Sequence, residues 1–271
     1  MPESKYKCIF CGSSKRLTKE HILPKWLRNY LPVNDHRSRH VVSSLDGVGK
    51  RGKLERPGTM FSQTLRIVCA DCNNGWMSLL QLKAKPILSK LIKNEWPLLS
   101  QNDQAIMSTW AAMTTCVAEF SDQHTATIPP DHRSFIFQTK SVPQDWFVWI
   151  GRIGKESTPL FTHINHFGAK IRDSLEGNEV DFAFQSTCFT IGHLLIMTMT
   201  STPSGLFNED SLKIEQLFEI FPIFPFKSIV VHMPDKVYDE DGFYEISCVF
   251  ARMLGLSTFR FDKNGNYIKL T

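Results

Sequence analysis

The sequence predicts an α+β protein with a mainly antiparallel sheet, preceded by a small metal-stapled module. Three observations lead there. Two Cys-x-x-Cys pairs, Cys8/Cys11 and Cys69/Cys72, stand far apart in the first 100 residues. An apolar stripe at helical spacing, Ile106, Trp110, Met113, Val117 and Phe120, runs through residues 102–120. Beyond His132 the chain turns to short runs rich in β-branched and aromatic residues, which read as strands. Successive strands with helices gathered elsewhere give α+β architecture. The boundary falls near position 100, with residues 1–100 as the metal module and 101–271 as an α+β accessory or regulatory domain.

Taken in order, residues 5–18 form a knuckle in which Gly12-Ser13-Ser14 turns the chain so that Cys8 and Cys11 face one ion. Thr18-Lys19-Glu20-His21 ends a short strand, and Pro24 opens one or two helical turns reaching Tyr30. Trp26 is expected to anchor that turn in a small core. Residues 34–57 are polar and basic, and Gly47, Gly49 and Gly52 make them read as a flexible loop. Phe61, Gln63, Leu65 and Ile67 belong to a strand entering the second knuckle. After Cys72, Asn73 is a favoured cap for a helix that breaks or kinks at Pro86 and resumes to about Lys93.

The helix over 102–120 begins near Asp103 and presents one apolar face to the core. Strands are predicted at 135–138, 146–153, 161–167, 180–190 and 193–200. Residues 211–218 and 242–254 read as helical, and 259–270 as a hairpin turning at Asn264-Gly265. His163 and His166 lie three apart in a strand-like run, which sets them on opposite faces and argues against a shared metal. Asp239-Glu240-Asp241-Gly242 reads as a helix-start cluster, without a calcium-loop pattern.

Length and a hydrophobic content of 42% suit a globular protein with one sizeable core. The start carries no apolar leader, and the most apolar run, residues 191–199, is too short to cross a bilayer. No membrane partner is expected. Of seven cysteines, four have metal spacing, and Cys116, Cys188 and Cys248 show no pairing pattern, which fits a reducing cytoplasm. The net charge of +4 hides an asymmetry. Residues 1–100 hold 18 Lys and Arg against 7 Asp and Glu, a net of +11, and the remainder holds 13 against 20, a net of −7. A basic module beside an acidic domain is the footprint of polyanion binding. Arg37, Arg39, Lys50, Arg51 and Lys53 are the candidate phosphate contacts.

Four thiolates delivered as two pairs satisfy a tetrahedral structural zinc site. Between the pairs lies Glu20-His21, a carboxylate beside an imidazole, and Asn73 follows the last cysteine directly. The order Cys8-x-x-Cys11, Glu20-His21-Ile22-x-Pro24, Cys69-x-x-Cys72-Asn73 resembles the HNH endonucleases, over roughly residues 5–85. That resemblance implies a ββα-metal motif with His21 as general base and with Glu20 and Asn73 as ligands of a catalytic divalent ion. It matches Cys8, Cys11, Cys69 and Cys72 to the zinc knuckle found in many members. Two features depart from the pattern: Thr64 stands where the middle Asn is expected, and the interval from His21 to Cys69 is long.

The implied activity is metal-dependent hydrolysis of DNA phosphodiesters, with RNA also open, leaving a 5′-phosphate and a 3′-hydroxyl. Oxygen ligands favour Mg²⁺ or Mn²⁺. One motif per chain cuts one strand, so double-strand breaks require a homodimer or two events. The unlike charge of the two halves would allow control by an activating partner protein. By analogy alone, restriction or phage defence is the expected context. The competing reading is a non-enzymatic zinc-knuckle protein that binds nucleic acid or a partner, in which Glu20-His21 only caps the turn at Pro24.

Overall fold

The computed structural model describes residues 7–31, 37–42, 51–57, 60–121, 126–154, 162–175, 178–203, 214–249, 258–261 and 267–270. The fold is mixed α+β with mainly antiparallel sheets.

A short strand β1 (Leu17–His21) is followed by a 3-10 turn (Lys25–Tyr30), a hairpin of β2 (Arg37–Val42) and β3 (Arg51–Pro57), and β4 (Thr64–Cys69). β4 returns antiparallel to β1 and leads straight into helix. Within residues 34–57, read from sequence as a flexible loop, the described residues Arg37–Val42 and Arg51–Pro57 are paired strands instead. These strands carry few apolar residues, so the usual amphipathic alternation is missing, yet Val41 and Val42 suit extended backbone. The segment between the two strands, with Gly47, Gly49 and Lys50, lies outside the described residues.

The helix begins at α1 (Ala70–Cys72), passes through a π-turn (Asn73–Met77) and continues as α2 (Ser78–Ile92). Asn73 is therefore inside the helical run, and Cys69 occupies the cap position. No break occurs at Pro86. A mid-helix proline orphans the carbonyl four residues before it, and Leu82 at that position is exposed, so water can satisfy the group. The interruption falls instead at Gly75, whose φ of −92° and ψ of −111° are non-helical. Single π-turns of this kind gather at functional sites.

β5 (Leu99–Ser100) introduces α3 (Gln101–Ala118), started by a capping box in which Ser100 and Asp103 bond each other's backbone N–H. The sequence predicts an amphipathic helix with one apolar face toward the core. α3 is buried nearly all round, because Ala111, Ala112, Thr114, Thr115 and Cys116 complete its circumference with small residues that neighbours can approach closely. Trp110 is fully buried, with its Nε1 donating to Gln81 Oε1 at 2.8 Å. α4 (Pro130–Thr139) replaces the strand expected at 135–138. Pro129-Pro130-Asp131 is a helix start signal, and a four-residue apolar run has no period to outvote it.

β6 (Trp146–Ile153), β7 (Thr162–Leu175), β8 (Asn178–Ile191), β9 (Leu194–Thr202) and β10 (Phe221–Phe224) make the main sheet in the order β10-β6-β9-β8-β7, all antiparallel. Before β10 comes the short helix α5 (Ile214–Phe218). β11 (Val230–Val231) pairs with β5, and β12 (Val237–Tyr238) joins β6 in parallel. α6 (Glu240–Ser247) follows, capped by Asp239 as its acidic cluster suggested. β13 (Thr258–Phe261) and β14 (Tyr267–Leu270) form the expected last hairpin, although the turn at Asn264-Gly265 lies outside the described residues, as do 211–213 and 250–254.

β6 is apolar on both faces. Trp146, Val148 and Ile150 join the larger core with α3, whereas Phe147 and Trp149 join a second core with Tyr238, Phe243 and Ile246. The result is a sheet with helix on each side. The larger core is continuous across position 100: Cys8, Phe10, Leu23, Cys69, Leu88, Trp110, Trp146 and Ile196 all belong to it. Gly192, with φ +60°, lets the β8–β9 turn approach the end of α2, where a Cβ would meet Ile92 O at 2.6 Å. Among the described residues, no helix is long and apolar enough to cross a membrane.

Candidate metal centre and active site

The first knuckle is a tight turn. Cys8 N donates to Ser13 O (2.9 Å) and Gly12 N to Cys8 O (3.0 Å), and Gly12 takes the left-handed φ of 68° that the turn needs. Ile9 N donates to Ile67 O at 3.0 Å, which pins this turn against β4. β4 carries Cys69 at its end, and the first helical turn after it presents Cys72.

The ligand atoms of Cys8, Cys11, Cys69 and Cys72 all lie within 4.8 Å of one another. Cys11 Sγ and Cys69 Sγ are 3.6 Å apart. That is far beyond a disulfide, at about 2.05 Å, and close to the edge of a ZnS4 tetrahedron, about 3.8 Å for Zn–S of about 2.3 Å. All four cysteines are free, and Cys8, Cys69 and Cys72 are buried.

Electrostatics favour a cation in their midst. Burial pushes the Cys8 thiol up, but backbone N–H groups of Cys11, Cys69 and Phe10 outweigh it and hold the pKa below its usual value. Burial, aided by the Cys69 and Cys8 side chains, raises that of Cys11, and burial raises that of Cys72 further. Four such sulfurs cannot all ionise together without a positive partner. The donor set therefore fits a soft or borderline divalent metal such as zinc.

Glu20 and His21 stand at the end of β1, where the ladder sets Glu20 opposite Leu65 and His21 opposite Thr64. The residue that departs from the expected Asn is thus the cross-strand neighbour of His21. Burial alone raises the Glu20 carboxyl from 4.5 to about 7. Burial, then the nearby Lys25 charge, lowers the His21 pKa and keeps its imidazole neutral at pH 7.

Asn73 meets β1 across a separation of 55 residues, its Nδ2 donating to Thr18 Oγ1 at 3.0 Å. The same nitrogen reaches Lys19 O at 3.3 Å. The amide donor is thereby committed to the strand, and Oδ1 is the remaining acceptor. Thr18 Oγ1 in turn donates to Val68 O at 3.1 Å. Thr18 was missed from sequence, since a lone threonine carries no local signal.

Trp26 packs edge-on against Tyr30, with centroids 6.0 Å apart, and lies against the larger core as expected. Lys140, at the end of α4, stands over the ring of Trp76 at 5.1 Å and that of Phe137 at 4.3 Å. Trp76 follows Cys72 by four residues, so the second part of the chain supplies a cation beside the cysteine cluster.

Of the candidate phosphate contacts, Arg37 and Arg39 lie on β2, and Arg51 and Lys53 on β3. The register pairs Arg39 with Glu55, Val41 with Lys53 and Val42 with Arg51. Lys50 lies outside the described residues. His163 and His166 do not share a site. His163 packs against Phe243 and Tyr244, and burial takes its pKa down to about 4, whereas His166 Nδ1 bonds Thr187 Oγ1 at 2.7 Å. No protein-family model, curated protein or solved structure matches the chain.

Proposed function

We propose that the chain is a divalent-metal-dependent endonuclease of the HNH type, hydrolysing DNA phosphodiester bonds, with a structural zinc on Cys8, Cys11, Cys69 and Cys72. The observation that carries this reading is the Asn73 amide bound to Thr18 and Lys19. It draws the start of the helix against the strand that ends in Glu20-His21, which supports a ββα reading of this part of the chain.

Glu20 and Asn73 are hard oxygen donors and would hold Mg²⁺ or Mn²⁺. Such an ion, when bound, supplies positive charge against the phosphate and the departing 3′ oxygen. His21, neutral at pH 7, accepts the proton of the attacking water as that water's oxygen bonds to phosphorus. The P–O3′ bond breaks and the departing 3′ oxygen takes a proton from solvent water, leaving a 5′-phosphate and a 3′-hydroxyl. Thr64 is the cross-strand partner of His21. The β2–β3 hairpin brings Arg37, Arg39, Arg51 and Lys53 into one two-stranded arm, suited to the phosphate backbone.

The test is nicking of supercoiled plasmid with and without added Mg²⁺ or Mn²⁺. Wild type is expected to nick only with the ion. His21→Ala should lose about two to four orders of magnitude in turnover, the usual worth of a positioned acid or base, while binding DNA about as well. Equal rates in the two proteins would place the base elsewhere. Binding without cleavage by wild type would favour the zinc-knuckle binding protein.

A further inference from the structure

Away from the cysteine cluster, a cavity of about 670 Å³ opens between the loop before α4, the first turn of α4 and the far end of the main sheet. Its floor is a row of three side chains on adjacent strands. The ladder pairs Lys170 of β7 with Ala183 of β8, and Ala183 with Thr202 of β9. Directly paired residues share a sheet face, so the small alanine leaves a depression between a lysine and a threonine. Ile128, Pro130 and Arg133 line the opposite wall.

That wall is held rigidly. Glu119 is buried and accepts from Thr127 N (3.0 Å) and Ile128 N (3.1 Å) through Oε2, and from Arg133 Nη1 (2.9 Å) through Oε1. Arg133 Nη1 also donates to Ile128 O at 2.6 Å. Thr127 Oγ1 donates to Phe184 O at 3.0 Å, which ties the wall to the sheet.

Two lining residues nevertheless keep buried polar atoms without a partner. Arg133 is only 9% exposed, and its Nε bonds nothing, as does Thr202 Oγ1. An unmet buried donor costs about 1–3 kcal/mol, so each of these atoms calls for a partner such as a water or a ligand group. α4 starts here as well, with Pro129 and Pro130 among the lining residues, so the positive end of a ten-residue helix borders the cavity. Ala126, Ile128, Pro129 and Ala183 make the rest apolar.

We propose that this cavity binds a small organic anion, with an apolar body over Ala183 and Ile128 and one acidic head held by Arg133, Lys170 and Thr202. The volume suits a ligand of that size. The site shares no residue with the cysteine cluster or with Glu20, His21 and Asn73, and it does not depend on the nuclease reading.

The probe is 1-anilinonaphthalene-8-sulfonate, an aromatic body with one sulfonate, titrated into the full chain by fluorescence. Its uncharged counterpart, N-phenyl-1-naphthylamine, serves as the control. The sulfonate is expected to saturate one site per chain and to bind at least tenfold tighter than the control. Lys170→Ala, at an exposed position, should weaken the sulfonate about tenfold and leave the control unchanged. Thr202→Val, close to isosteric, should weaken it severalfold. Ala183→Leu should abolish both while preserving the thermal midpoint within a few degrees. If the sulfonate binds wild type and Lys170→Ala equally, or no tighter than the control, the anion site is refuted. Binding that survives Ala183→Leu in a folded protein would place the ligand elsewhere and refute the cavity.

Discussion

Replacing Glu20 with Gln should make the protein more stable at alkaline pH and, on the nuclease reading, should remove the stabilising effect of added Mg²⁺. Burial lifts the Glu20 pKa from 4.5 to about 7, so the folded state holds the proton more tightly than the unfolded chain does. The stabilisation from that proton is complete below about pH 4.5 and is lost as the pH rises through 7. Above pH 7 a charged carboxylate is kept in a partly dry place. Raising the carboxyl from 4.5 to about 7 corresponds to about 3 kcal/mol, and residual solvent exposure reduces this to about 1–3 kcal/mol.

Glutamine resembles the protonated acid in shape, so the variant should match wild type near pH 4.5 and exceed it by that amount at pH 8. Thermal melts of protein kept free of magnesium, with any metal on the four cysteines left in place, would read this as a gain of several degrees. Added Mg²⁺ should raise the wild-type midpoint at pH 8 by mass action and leave the variant unmoved. Below about pH 7 protons compete for the carboxylate, so the ion's effect on wild type should weaken about tenfold in affinity per unit. A variant no more stable than wild type at pH 8 would refute the buried-charge argument. Equal magnesium shifts in both proteins would remove Glu20 from the ligand set.

Elemental analysis should find one zinc per chain, and Cys69→Ser should lose it together with several kcal/mol of stability, because ligand binding in such a site is coupled to folding; folded protein without zinc would overturn this. Thr18→Val keeps the shape of β1 but removes the nearer of the two acceptors of Asn73 Nδ2, leaving Lys19 O at 3.3 Å. About 1 kcal/mol of stability should go, and nicking should fall about tenfold with zinc content unchanged; undiminished nicking would free Asn73 from the site. Replacing Lys50, Arg51 and Lys53 with alanine should weaken duplex binding alike for all sequences and shallow its salt slope by about 0.9 for each phosphate that the variant no longer neutralises. Cleavage should return at high enzyme concentration, as it should not for His21→Ala, and identical slopes would mean the arm does not touch phosphate.

The sequence by itself determined features that rest on short range or on strong residue chemistry. Cys-x-x-Cys spacing fixes two sulfurs on one turn whatever surrounds it, and the sulfurs of the two pairs do gather within 4.8 Å. Runs rich in β-branched and aromatic residues predicted β6, β8 and β9, because such side chains suit extended backbone in a buried sheet, continuously apolar in most of β6 and mixed with buried Gln185, Ser186 and Thr187 in β8. The acidic cluster before α6 marked its cap, since Asp239 acts on Gly242 three residues away.

Only the tertiary structure decided the rest. α3 reads as amphipathic because its small residues are silent about burial, and they became interior once helices and sheet closed around it. Pro86 is a helix breaker in isolation, but it sits where the orphaned carbonyl belongs to an exposed residue, so the helix continues. The hairpin of β2 and β3 lacks an apolar face, so its pairing is visible only in its cross-strand register. Asn73 looked like a helix cap, the nearest use for its amide. Its actual partners, Thr18 and Lys19, are more than fifty residues away in sequence, and a side chain's choice between a local and a distant acceptor depends on what the fold places within about 3 Å.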